Sequence, residues 1–206
     1  MTERRDTPRY VLVIPDAGPL NSLWVADRLD LLLALEMPIV LVDEVYWETA
    51  SDPDRYEKDR AIRDFVERHR GREVLVEDTF VGQAAREARA AGTFKTVKSL
   101  GEVAVAEFMA NGIGRYLDGM EPVLLLFEDS DFRNVRLFRK PDNLHLLSTV
   151  GLLRGLEAAG IVASADEIIR SMTHPSEPKR QDSKRSFADL PHGIDEEAAI
   201  GSARKP

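Results

Sequence analysis

The chain has 206 residues, 43% hydrophobic and 31% charged, with a formal net charge of −8 at pH 7 and a pI near 5.1. That size suits one globular domain with a tail and a core that needs no covalent staples. It contains no cysteine, which excludes disulfides, thiolate zinc sites and a cysteine nucleophile, and its acidity argues against a broad nucleic-acid-coating surface.

The opening stretch MTERRDTPRY is charged and has no apolar signal core. No apolar run approaches the roughly 20 residues that span a bilayer. The expectation is a soluble, cytoplasmic protein with no membrane partner.

Five short apolar runs follow in chain order: Val11 to Ile14, Ile39 to Val42, Glu73 to Glu77, Val123 to Phe127 and Leu144 to Leu147. The longer ones are continuous rather than alternating, as strands buried on both faces are. Helical patterns lie between them. Leu23 to Leu35 is the first, and Asp54 to Arg70 is charged with an apolar stripe of Ile62, Phe65 and Val66. Gly82 to Ala91, Gly101 to Ala110, Phe132 to Lys140 and Thr149 to Ala159 complete the set. Alternating strands and helices predict an α/β fold with a mostly parallel sheet. After Ile169 the composition turns to scattered prolines and mixed charge, so the expected division is a folded domain over 9–170 and a disordered tail over 171–206.

Acidic residues gather where strands end. Asp16 follows the first run, where open α/β sheets keep their ligands; a turn aspartate bonding its own backbone accounts for it equally well. Asp43, Glu44 and Glu48 follow the second run. Asp43 suits a helix cap, and Glu44 and Glu48 share a helix face, where they repel unless a cation compensates. Ser99 and Glu102 fit a capping box, although a cap gains nothing from Gly101, which allows close backbone approach. Glu107 is expected to face solvent. Glu128, Asp129 and Asp131 sit directly behind the fourth run. Three acids so close repel one another unless solvated, capped or neutralised, and a divalent ion such as Mg²⁺ or Mn²⁺ neutralises two or more. Such clusters serve function more often than stability.

In order and spacing, over residues 9 to 162, these pieces resemble the PIN domain family, and within it the toxin-like ribonucleases of the VapC type. VIPDAGPLNSL is similar to the family's opening strand with its first metal-binding aspartate, here Asp16. VDEVYWE resembles the segment that ends on a site glutamate, Glu48. GEVAVAEF resembles the helix that supplies Glu102. LLLFEDSDFRNV resembles the hallmark strand that supplies Asp129 and Asp131, and HLLSTVGLLRGLEAAGIV the closing strand and helix, with Ser148 or Thr149 as the following hydroxyl. Two features depart from the family pattern: the insertion from Asp52 to Arg70, and a carboxylate at Glu128 where a small or hydroxyl residue is usual.

The resemblance implies a three-layer α/β/α PIN-like fold and Mg²⁺- or Mn²⁺-dependent hydrolysis of single-stranded RNA. Asp16, Glu48, Glu102 and Asp129 are then the catalytic acids, with Asp16, Glu102, Asp129 and Asp131 as metal ligands. It further implies an antitoxin protein as partner and a homodimer. Arg133, Arg136, Arg139, Lys140, Lys95 and Lys98 are rim candidates for RNA phosphates, although an ordinary charged face accounts better for any one of them alone. Trp24, Tyr46 and Trp47 are candidates for base stacking, against core packing as the commoner role of aromatics.

Two other readings stay open. One is a PIN-like module that binds RNA or protein without cutting. The other is a phosphoaspartyl enzyme or receiver-like domain, although a haloacid-type phosphatase wants an aspartate two residues after its nucleophile and here that position is Gly18.

Overall fold

A computed structural model describes residues 11–95, 97, 99–128, 142–174, 176 and 179. Five strands form one sheet: β1 (Leu12–Pro15), β2 (Ile39–Val42), β3 (Val74–Glu77), β4 (Val123–Phe127) and β5 (Leu144–Ser148). Their order is β3-β2-β1-β4-β5, and every neighbouring pair is parallel. The helices are α1 (Ala17–Val25), α2 (Asp43–Ala50), α3 (Glu57–His69), α4 (Phe80–Ala90), α5 (Leu100–Glu107), α6 (Thr149–Ala158) and α7 (Ala165–Thr173). They flank the sheet in a three-layer α/β/α arrangement, as the alternating pattern predicts. The three central strands are buried throughout, whereas β3 and β5 at the edges are partly exposed. That is why their sequences are the continuous apolar runs.

In α3, Ile62, Phe65 and Val66 face the core as their spacing requires. The predicted helix over Leu23 to Leu35 is two elements. α1 ends at Val25, Asp27 takes a left-handed φ of 56°, and a 3₁₀ helix runs from Leu29 to Leu35. The pattern over Gly101 to Ala110 also changes pitch, passing from α5 into a π-helical turn over Phe108–Gly112. The structured chain extends beyond the expected boundary at residue 170. α7 continues to Thr173 with Met172 fully buried. Farther on, Lys179 donates to the carbonyls of Trp24 and Val25 at the end of α1 and pairs with Asp27 at 2.5 Å. A lysine there satisfies carbonyls that a helix end leaves without partners. Most of the expected tail, and the predicted helix over Phe132 to Lys140, lie outside the described residues. Among the described residues, no helix is long and apolar enough to cross a membrane.

Candidate functional site at the carboxyl edge of the sheet

Because all five strands run the same way, the residues behind β1, β2, β4 and β5 arrive at one edge: Asp16, Asp43, Glu128 and Thr149. Strand order reverses between β1 and β4, the point where open parallel sheets leave a crevice for ligands. Asp16 sits there. Its N–H continues the ladder by donating to Leu126 O at 2.9 Å, and Pro15 is in register with Leu126.

Asp16 occupies the cap position of α1 but makes no side-chain cap bond to the helix interior. The carboxyl group is buried, 8% exposed. Burial is the main force raising its pKa from 3.8 to about 7. A hydrogen bond from the Ala17 N–H opposes the rise, while the negative charges of Glu102, Glu48 and Glu128 add to it. Loss of hydration and like charge both disfavour the ionised form. The structure therefore brings Glu48 and Glu102 into the electrostatic neighbourhood of Asp16, together with Glu128.

Glu48 reaches this place because α2 starts directly behind β2 and α5 packs against it. Gly101 permits that packing: a Cβ there would stand 3.3 Å from Glu48 Oε2 and 3.4 Å from Val45 Cγ2. The capping-box expectation for Ser99 and Glu102 is not met. Ser99 adopts a left-handed conformation, φ 63°, and its side chain caps nothing. Glu102 is thus available for a role other than closing a cap, and Ser99 holds a backbone conformation that non-glycine residues seldom adopt.

Glu128 is 2% exposed and is held by two hydroxyls: Ser22 Oγ donates at 2.9 Å and Thr149 Oγ1 at 2.5 Å. The two hydroxyls behind β5 therefore divide the work. Ser148 caps α6 by accepting from the Gly151 N–H, and Thr149 reaches across to β4. Ser22 is a site residue that sequence reasoning missed. Its position one helical turn past Gly18 was the available signal.

Asp43 and Glu44 do not join this group. Asp43 accepts from the Thr79 N–H and hydroxyl at 3.1 and 2.8 Å and from Arg86 at 2.7 Å. Glu44 takes a two-pronged bond from Arg89 at 2.8 and 2.6 Å. These acids fasten α4 to the start of α2. Glu107, expected to face solvent, is half-buried and accepts from the Val81 N–H in the first turn of α4 at 3.0 Å. His145 is half-buried, because β5 is an edge strand.

Asp129 and Asp131 lie outside the described residues, as do Arg133, Arg136, Arg139, Lys140 and Lys98. Lys95 is exposed. Among the described residues, no three acidic or histidine side chains stand close enough to hold a metal ion. What the described residues contain is a buried aspartate that resists ionisation and three carboxylates whose fields act on it. All their donors are hard oxygens, the type that suits Mg²⁺ or Mn²⁺. A divalent cation at this edge would reverse the electrostatics that hold the Asp16 pKa up. Comparison of the chain with protein-family models, with curated proteins and with solved structures gives no match.

Proposed function

We propose that this chain is a PIN-like, divalent-metal-dependent ribonuclease that hydrolyses phosphodiester bonds of single-stranded RNA at the carboxyl edge of its sheet. The observation that carries the reading is the buried Asp16 at the strand-order reversal, its pKa raised to about 7 by burial and by Glu102, Glu48 and Glu128. Fold stability alone gives no reason to gather like charges around a buried carboxyl group.

On this reading Asp16, Glu102 and Asp129 hold Mg²⁺ or Mn²⁺, with Asp131 beside them. Such an ion lowers the pKa of a bound water and offsets charge on the phosphorus oxygens. The chain's own residues set up that chemistry. β1 and β4 fix Asp16 on the sheet. Gly101 lets α5 lie close to Glu48. Glu128, accepting from Ser22 in the second turn of α1 and from Thr149 at the start of α6, ties both helices to the end of β4 behind the site. Glu48 orients water or a hydrated ligand. A role as the toxin of a toxin–antitoxin pair, with an antitoxin partner and a homodimer, belongs to the same proposal and rests on the sequence resemblance.

The test is cleavage of an end-labelled single-stranded RNA with Mn²⁺ or Mg²⁺ by wild type, Asp16→Asn and Asp129→Asn. The expected result is metal-dependent cutting by wild type and a loss of at least about 100-fold in each variant, the scale seen when a group stabilising charge in the transition state is removed. Folded wild type that binds RNA but does not cut it would transfer the chain to the binding-module reading.

A further inference from the structure

The two tryptophans of the chain occupy opposite environments. Trp24 is buried beneath Lys179. Trp47 is 45% exposed, on α2, one residue before Glu48. Of the other stacking candidates, Tyr46 is engaged through its hydroxyl with Glu67 and lies under Arg70. Trp47 leaves nearly half of its surface in water, which forgoes a favourable burial term.

The indole is also held. The Arg89 guanidinium lies 4.5 Å from the centre of the Trp47 ring and 4.4 Å from that of Phe94. Both of its donor arms are engaged by Glu44. Arg89 is therefore a neutralised, immobile plate behind the indole rather than a free cation for phosphate. The chain as a whole carries a net charge of −8 and so attracts a polyanion weakly. A ligand gains at Trp47 through an uncharged flat face, which every nucleobase offers and which a base inside a duplex keeps covered.

We infer that Trp47, backed by Arg89, is a stacking platform for an unpaired nucleobase next to the phosphate held at the acidic edge, and that it selects single-stranded over double-stranded substrate. This rests on the ribonuclease reading and adds the recognition element to it.

The experiment is a fluorescence titration with a short oligoadenylate in EDTA, so that binding is read without cutting, using wild type, Trp47→Ala and Trp47→Phe. Trp47 is exposed enough for both variants to fold, and Trp24 in each variant is an internal control. The expected outcome is quenching in wild type, no quenching of the remaining Trp24 signal, affinity weakened roughly 5- to 100-fold in Trp47→Ala, and largely recovered affinity in Trp47→Phe. A blunt hairpin duplex should leave the emission unchanged. Binding with no quenching, and equal affinity in Trp47→Ala, overturns the platform and leaves the ribonuclease reading standing. Quenching and Trp47-dependent affinity in a chain that never cuts RNA keeps the platform and removes the nuclease. No binding by folded wild type overturns the platform and leaves the ribonuclease reading to the cleavage assay.

Discussion

Two acidic groups stand at the same sheet edge, and they are built on opposite principles. Around α2 and α4, Asp43 and Glu44 are buried and each faces an arginine, Arg86 or Arg89, at 2.6 to 2.8 Å. Around β1 and β4, Asp16 is equally buried, yet the charged side chains acting on it most strongly are carboxylates. The first group is closed, with each charge consumed within the fold. The second leaves negative potential directed at whatever enters. An acid that follows a strand is therefore not informative until its neighbours are known. Asp43 and Asp16 hold the same position relative to their strands and do different jobs.

The largest effect should come from opening the closed group. Glu44→Ala leaves the Arg89 charge without its partner in a mostly buried setting, and the expected loss is about 3–5 kcal/mol in urea denaturation. The opposite sign is expected at Asp16. Its folded pKa lies above its unfolded value, so between 3.8 and about 7 the folded state retains a proton that the unfolded chain has lost. Stability therefore falls as pH rises through that window and levels off above it. Asp16→Asn should remove this slope and stabilise the fold by on the order of 1–4 kcal/mol near pH 8, while abolishing cleavage. A variant that is less stable and still active would break the comparison.

A smaller effect follows from adding the ion. If Mg²⁺ or Mn²⁺ binds the folded edge, a concentration about 100 times Kd adds about 2.7 kcal/mol. Thermal melts should rise in wild type and stay unchanged in Asp16→Asn. Calcium-free chelated buffer gives the baseline. The smallest effect belongs to Ser99. Ser99→Gly relieves a left-handed serine that caps nothing, so it should stabilise by about 1 kcal/mol or less. A destabilisation instead would reveal a bond made by that hydroxyl.

The fold was legible because its strands are local objects. Each is a run of four or five apolar residues whose burial on both faces leaves no alternation to interpret, and parallel order follows from the helices between them. That Glu48 and Glu102 act electrostatically on Asp16 was likewise readable from their places behind a strand or at a helix start. What escaped was long-range or depended on backbone conformation. Arg86 and Arg89 meet Asp43 and Glu44 across more than forty residues, a pairing that no local spacing announces. Ser99 and Glu102 carry the spacing of a capping box, but a left-handed φ at Ser99 points the hydroxyl away. The helix pattern through Leu35 is apolar enough to continue, yet Asp27 turns the chain. Residues 171–173 read as tail by composition, but Met172 finds a buried position that composition does not encode.

The closed group also ties two distant codons together. A methyl group at Gly82 would fall 1.9 Å from Asp43 Oδ2, so position 82 accepts a side chain only after position 43 has lost its carboxylate. Losing that carboxylate first deprives Thr79 and Arg86 of their acceptor. A side chain at 82 is therefore costly for as long as Asp43 keeps its acceptor role. Lineages descended from this chain are therefore expected to keep Asp43 and Gly82 together or to exchange them together, and this coupled inheritance would mark the pair even where overall similarity has faded.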